Sequence, residues 1–358
     1  MAYQFHSLSI KEIIRETSDC ISICFDVPQA LQSTFKFKEG QNITIKKTIE
    51  GSELRRSYSI CNAPYENQLK VAVKKVDGGL FSTFANESLK KNDLLEVMPP
   101  SGKFNAHLTT DKPGNYLAIA AGSGITPILS IIKHSLREQP DSKFTLIYGN
   151  RNRNSIIFFE ELESLKNKYM ERFSLINILS REKMDADIFF GRVDADKLQS
   201  LEKIVEFGSF DAAYLCGPES MIFSSTDFLQ TKGLEKSKIH FELFTAAAQT
   251  AKQQKIATAD TSSGPQSSIT IKLDGRSFMF DLNYNGNSIL DEALKHGADL
   301  PFACKGGVCC TCRAKLLEGN VKMDVNYALE EEELAQGFIL TCQSHPTTSK
   351  VVIDFDEK

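Results

Sequence analysis

Cys304, Cys309, Cys312 and Cys342 are the residues whose type and spacing most directly imply chemistry. Four residues separate Cys304 from Cys309 and two separate Cys309 from Cys312, in Cys304-Lys305-Gly306-Gly307-Val308-Cys309-Cys310-Thr311-Cys312. Cys342 follows in Leu340-Thr341-Cys342-Gln343. This C-x4-C-x2-C…C spacing is that of a plant-type [2Fe–2S] site, which needs four thiolates held on a tight loop. Gly306 and Gly307 suit it, because a cluster lies close to backbone and accepts N–H hydrogen bonds on its sulfurs. A zinc site usually has two C-x2-C pairs, and here there is one. A redox C-x-x-C would leave Cys304 and Cys342 without a role. A disulfide framework needs an oxidising compartment. Met1–Ile10 has no Lys or Arg and no long apolar core, so no secretory leader is expected. Taking Cys310 as a ligand would break the spacing, so it is expected to be a free packed thiol.

A cluster of this kind moves one electron at a time, and the chain before it carries groups suited to the source. In Arg55-Arg56-Ser57-Tyr58-Ser59-Ile60, side-chain alternation on a strand puts Arg56 and Tyr58 on one face. A cation for a pyrophosphate and a flat ring for stacking then point into one groove. Gly78-Gly79-Leu80-Phe81-Ser82-Thr83 is a flexible turn opening a helix expected over Ser82–Leu89, and a glycine turn at a helix N-terminus is an anion site. Taken singly, the two read equally well as an exposed strand and a surface turn. Further on, Gly122-Ser123-Gly124-Ile125-Thr126-Pro127 links a buried strand, Tyr116–Ala121, to a helix whose stripe is Ile128, Leu129, Ile131, Ile132 and Leu136. Pro127 stands near the first helical position. Three more strands end at Gly149-Asn150-Arg151, at Ser180-Arg181-Glu182 and at Cys216-Gly217-Pro218. The carboxyl ends of parallel strands are where an open α/β sheet binds ligands. From spacing alone Cys216 reads as a buried apolar cysteine.

The elements that must hold these groups fall into segments. With 358 residues, two or three domains are expected. Residues 1–108 read as a small antiparallel β-barrel, with alternation in Asn42–Lys46 and Leu69–Lys74. Residues 109–245 alternate strand and helix, the pattern of a Rossmann-like parallel α/β domain. Residues 246–268 are mostly Ala, Gln, Lys, Thr and Ser, with Ser262-Ser263-Gly264-Pro265 and little to bury, and read as a flexible linker. Residues 269–358 open with a hairpin turning at Asp274-Gly275, then a helix capped by Ser288 and ended by Gly297, then the cysteine loop. The fold class expected is multidomain, α+β and α/β.

Composition excludes several functions. The chain is 41% hydrophobic and 25% charged, as globular proteins are, and no run of about 18 apolar residues exists to span a membrane. The nine cysteines are expected to be thiols or ligands in a cytoplasmic setting. Net charge is −4, and residues 269–358 hold 9 Lys and Arg against 14 Asp and Glu. An acidic face around a redox centre suits a basic partner, although Glu330–Glu333 reads equally as a solvated helix. Neither reading suggests nucleic acid. No Glu-x-x-His pair, the mark of a di-iron site in a helix bundle, occurs here, so the chain has no oxygen-activating centre of its own.

In combination, Arg56-Ser57-Tyr58-Ser59 and Gly79-Leu80-Phe81-Ser82 resemble the flavin domain of ferredoxin–NADP reductases. The resemblance implies FAD, with Arg56 and Ser82 on its phosphates, Tyr58 stacked on the isoalloxazine and Ser59 near the reactive nitrogen. The motifs Gly122-Ser123-Gly124, Thr126-Pro127 and Cys216-Gly217-Pro218 resemble the pyridine-nucleotide domain of that family, and place Cys216 near the nicotinamide. His240-Phe241-Glu242-Leu243-Phe244 is similar to its C-terminus, so Phe244 would cover the flavin. Ser180-Arg181-Glu182 resembles the segment that binds the 2′-phosphate of NADPH, with Arg151 as a second cation and Glu182 as an alternative ligand for the ribose of NADH. The cysteine loop, with a β-grasp ferredoxin domain around it, completes a chain similar to the reductase components of multicomponent phenylacetyl-CoA epoxidases. That resemblance implies electron flow from NADPH through FAD and the cluster to a di-iron oxygenase component docking near the acidic domain. The same chemistry would serve another oxygenase or a hybrid-cluster protein, with NADH as donor.

Overall fold

The computed structural model describes residues 4–105, 113–244 and 264–357. Two compact units result, one ending at Phe244 and the other beginning at Thr245. The expected boundary between the first two domains, near 108, and residues 246–263 of the expected linker lie outside the described residues.

The first unit opens with six antiparallel strands: β1 (His6–Thr17), β2 (Cys20–Asp26), β3 (Asn42–Ile49), β4 (Ser52–Ser59), β5 (Leu69–Lys74) and β6 (Leu94–Val97). Their order is β4-β3-β6-β1-β2-β5, and a bridge between Ile60 and Val71 joins its two ends into a barrel. Leu8, Ile10, Ile21, Ile23, Ile43, Ile45, Val71 and Val73 alternate along their strands and are at most 1% exposed. Burying each such side chain favours the fold by about 1.5–3 kcal/mol. Helix α1 (Leu80–Glu87) lays Phe81 and Ala85 on this core. It starts two residues before the expected Ser82, because the extended Gly79 serves as its N-cap.

Strand β5 faces two ways. Val71 and Val73 point into the barrel, whereas Ala72 joins Cys20 and Cys61 in a second core with Tyr116, Ile128, Ile132 and Tyr214. The barrel and the α/β layer therefore share buried surface. That layer is a parallel sheet of β7 (Asn115–Ala121), β8 (Lys143–Asn150), β9 (Phe173–Leu179), β10 (Ala212–Gly217) and β11 (Ile239–Leu243), in the order β11-β10-β7-β8-β9. Helices α2 (Ile125–Glu138), α3 (Phe159–Lys168), α4 (Ala195–Leu201) and α5 (Glu219–Thr231) make the connections. The chain winds outward from β7 through β8 and β9, then returns to β10 on the other side of β7. That reversal is a topological switch point, where such sheets open a ligand crevice. Pro127 is the third residue of α2, a position whose N–H has no helical partner to lose.

In the second unit β12 (Gln266–Leu273), β13 (Arg276–Asn283), β14 (Arg313–Glu318), β16 (Phe338–Leu340) and β18 (Lys350–Asp354) form a mixed sheet ordered β13-β12-β18-β14-β16. The remaining pair, β15 (Val321–Met323) and β17 (Ser344–Pro346), lies beside it. Together with a helix at Ile289–Lys295 this is the β-grasp arrangement. The hairpin turn is Asp274-Gly275, both at positive φ, 49° and 70°. Ser288 caps the helix by accepting the Asp291 N–H at 3.2 Å. The expected linker runs too far, since β12 begins at Gln266. Gln266, Ser267 and Ser268 pair with Asn283, Leu282 and Asp281. Backbone pairing needs no apolar side chain, so polar composition concealed the start of this strand. Among the described residues, no helix is long and apolar enough to cross a membrane.

Candidate functional site

The barrel groove is built on β4 and α1. Alternation puts Arg55 and Arg56 on opposite faces. Arg55 is buried against Glu53 and the ring of Phe5, while Arg56 stays half-buried on the side of Tyr58. Tyr58 lies 5.6 Å from Phe81, centroid to centroid, tilted by 36°. Val76 and Leu80, 46% and 49% exposed, add uncovered apolar surface at the glycine turn. A cation, a ring and apolar surface fit a flavin nucleotide. The Ser57 hydroxyl lies 3.2 Å from that of Thr44. Ser82 uses its hydroxyl within the turn, accepting from the Val76 N–H and donating to the Gly79 carbonyl, both at 3.1 Å. What α1 presents to an anion is therefore the backbone N–H groups of its first turn.

A cleft of about 450 Å3 opens at the carboxyl ends of β7–β10. Its floor is the Gly122–Gly124 turn. A Cβ on Gly124 would stand 2.0 Å from the Cys216 carbonyl oxygen, so only glycine lets this turn close on β10. Tyr148 donates to the Gly122 carbonyl at 2.8 Å, and Thr126 to that of Ser123 at 3.0 Å, which fixes the loop above the α2 N-terminus. Arg151, Ser180, Gly217 and Pro218 line the walls. Three further lining residues, Lys74 from the barrel, Ser155 and Arg192, belong to no motif in the sequence. Arg192 arrives because the loop after β9 returns, with Phe190 bridging Leu179 and the Gly191 N–H donating to Leu179. Arg181 is exposed, and its side chain is not part of the cleft wall. Glu182 accepts the Arg153 N–H at 2.8 Å.

The two sites meet at the end of the sheet. Ser59 donates to Glu242 Oε2 at 2.9 Å, and Glu242 stands in register with Cys216 across β10 and β11. Burial, and then the Glu242 carboxylate, push the Cys216 thiol well above its usual range, so it remains a neutral thiol. Cys216 is fully buried in the shared core and does not line the cleft. Phe244, 41% exposed, does line it. Glu242 entered the sequence analysis only as part of a segment. Its place two residues before Phe244 on one strand was the signal available for it.

The cysteine loop holds its thiols as two pairs. Cys309 and Cys304 lie 3.1 Å apart, sulfur to sulfur, and Cys312 is hydrogen-bonded thiol to thiol with Cys342. Among the described residues no three metal-ligating side chains converge on one point. Paired thiols suit two irons with two thiolates each, whereas zinc draws four ligands onto one atom. The Gly306 N–H donates to the Cys304 sulfur at 3.3 Å. Cys310 donates instead to the Ala328 carbonyl at 3.2 Å. Gly307, at φ 72°, has the Val325 carbonyl 2.9 Å from where a Cβ would be, so the loop needs glycine there.

Residues 7–106 match the oxidoreductase FAD-binding domain family, residues 118–227 the oxidoreductase NAD-binding domain family, and residues 271–347 the 2Fe-2S iron-sulfur cluster binding domain family. The solved structure of phthalate dioxygenase reductase has the same fold, with a TM-score of 0.59 and 24% identity over 98% of both chains. Fold and site define an iron–sulfur flavoprotein reductase, which takes electrons from a nicotinamide nucleotide through FAD and a [2Fe–2S] cluster to an oxygenase. A component of the 1,2-phenylacetyl-CoA epoxidase from Escherichia coli (strain K12) is 45% identical over 99% of this chain and 98% of its own. The ferredoxin reductase component of 3-ketosteroid-9-alpha-monooxygenase from Rhodococcus rhodochrous is 31% identical over 97% and 96%. The chain belongs to this family of oxygenase reductase components.

Proposed function

We propose that this reductase serves a di-iron oxygenase component that epoxidises the ring of phenylacetyl-CoA, in the cytoplasm, with NADPH as donor. The observation that carries the acceptor is the 45% identity, over nearly the whole of both chains, to a component of such an epoxidase. When bound, FAD accepts two electrons at once from the reduced nicotinamide, and the [2Fe–2S] cluster releases them singly. The protein supplies position. Tyr58 and Arg56 hold the flavin, the α2 N-terminus and its glycine turn hold nucleotide phosphates, and Ser59 with Glu242 orders the junction. Cys304, Cys309, Cys312 and Cys342 are the iron ligands. Glu331 and Glu332 are exposed on a short helix that Arg313 ties to the strand after Cys312 through Glu333, at 2.5 Å. This acidic face receives a basic surface of the acceptor. Reconstitution tests the assignment: with the epoxidase oxygenase component, phenylacetyl-CoA is consumed only when NADPH, oxygen and this chain are all present. No consumption there, with turnover of an unrelated oxygenase such as a steroid hydroxylase, would transfer the chain to that second acceptor.

The preference for NADPH rests on cations and on an acid already engaged. The nucleotides differ by one phosphate on the adenosine ribose, and Arg suits it because its planar fork meets phosphate oxygens in pairs. Arg151 and Arg192 line the cleft, with Arg181 following the lining residue Ser180. Glu182, the group that would favour ribose hydroxyls and NADH, is held by the Arg153 N–H. Charge-assisted contacts of this kind are worth about 1.5–3 kcal/mol each, or roughly 10- to 150-fold in affinity. Arg181→Ala and Arg192→Ala are expected to weaken NADPH by such a factor while leaving NADH nearly unchanged. Dissociation constants for both nucleotides decide it. A wild type that prefers NADH, or equal losses for both nucleotides, would remove these residues from phosphate recognition.

A further inference from the structure

Lys133 is the only buried lysine among the described residues, at 5% exposure, and neither the flavin groove nor the nucleotide cleft uses it. Its ammonium lies 2.5 Å from Glu66 Oε1 and 2.6 Å from Glu161 Oε1. Lys70 stands 3.6 Å from the other oxygen of Glu161. These four charges come from three places. Glu66 and Lys70 belong to the barrel, Lys133 to α2, and Glu161 to α3. The second oxygen of Glu66 accepts the Ala63 N–H at 2.6 Å, which anchors it to the chain just past Ser59 and Ile60.

The cluster is one part of a polar stripe along α2. Ser130 donates to the Asn62 carbonyl at 2.8 Å, His134 approaches Glu39 at 3.5 Å, and Arg137 lies 4.0 Å over the ring of Tyr65. Positions 130, 133, 134 and 137 are one helical face. The same helix carries the Gly122–Gly124 turn at its N-terminus. A buried ion cluster adds little net stability, but it tolerates few geometries and so can specify orientation.

We propose that Lys133 is a positioning residue: with Glu66 and Glu161 it sets the angle between the nucleotide-binding helix and the flavin barrel, and thereby the approach of nicotinamide to flavin. Lys133 is nine positions along from Gly124, a lever of about 13 Å. A rotation of roughly 5° at the clamp therefore moves the turn by about 1 Å, and an error of that size in donor–acceptor geometry can cost about 100-fold in rate.

The test uses the full-length, FAD-loaded protein and anaerobic stopped-flow reduction by NADPH. Lys133→Met should lower the limiting rate of flavin reduction at least tenfold and weaken the long-wavelength nicotinamide–flavin absorbance, with the nucleotide dissociation constant within about twofold of wild type. Amide hydrogen exchange should rise at residues 61–66 and along α2 in the oxidised protein without nucleotide. Lys133→Arg should restore both signals in large part. Should Lys133→Met fail to retain FAD, the charge-neutral pair Lys133→Met with Glu66→Gln, which leaves Glu161 to Lys70, takes its place. An unchanged limiting rate in whichever variant folds, even with a lowered melting temperature, would show a merely structural clamp and overturn the proposal. A loss confined to nucleotide affinity would overturn it equally.

Discussion

Serine at Cys304, Cys309, Cys312 or Cys342 is expected to abolish the visible absorbance of the [2Fe–2S] cluster and most of the bound iron, while Cys310→Ser keeps both. The four are expected to be equivalent because they form two pairs of thiols, three from one loop and Cys342 from the turn after β16, and each iron of a four-cysteine cluster takes two. Cys310 is on the loop of the first three but donates to the Ala328 carbonyl, a contact that a serine hydroxyl can also make. Flavin content should not change in any of the five variants. The ferredoxin-like core contains residues from 269 onward, and no described residue before 245 contributes to it. Electron delivery to cytochrome c should fall on the order of 100-fold with each ligand variant, since the protein serves to place cofactors in series and one would be missing. Iron analysis and visible spectra of the purified variants decide it. Cluster loss in Cys310→Ser with retention in Cys309→Ser would reverse the ligand assignment.

A chain ended after Phe244 is expected to remain an FAD protein that oxidises the reduced nicotinamide nucleotide with ferricyanide at near full rate, yet to reduce cytochrome c roughly 100-fold more slowly. The flavin groove, the nucleotide cleft and the Ser59–Glu242 contact all lie before residue 245. The barrel and the α/β sheet share one buried core, to which Cys20, Cys61, Ala72 and Phe104 contribute from the barrel side. Division at this point follows the boundary of the two compact units. Ferricyanide takes electrons from a flavin directly, whereas the protein acceptor is served through the cluster. The measurement is the ratio of the two activities in the truncated and full-length proteins at equal FAD. A truncated chain that loses FAD, or that no longer oxidises the nucleotide, would show that the last domain is needed to build the first two.

The local geometry of this chain was legible in its sequence. Ligand spacing, strand alternation and glycine turns act within a few residues, and such short-range constraints do not need the rest of the fold. Cys304, Cys309, Cys312 and Cys342, the shared face of Arg56 and Tyr58, and the Gly122–Gly124 turn could all be named in this way. Polar strands were harder, as β12 shows: Gln266-Ser267-Ser268 is paired through its backbone, and its side chains say little about pairing. Contacts between distant segments were decided only by tertiary packing. Lys74 reaches the nucleotide cleft from the barrel, and Arg192 enters it because Phe190 bridges back to Leu179. Ser59 meets Glu242 183 positions away, and Lys133 finds Glu66 and Glu161 on two other elements. None of these pairs shares a sequence period. Each exists because burying the α2 and β5 faces in one core fixes where the polar groups around that core must end, and an unpaired charge at such a place would cost too much to keep.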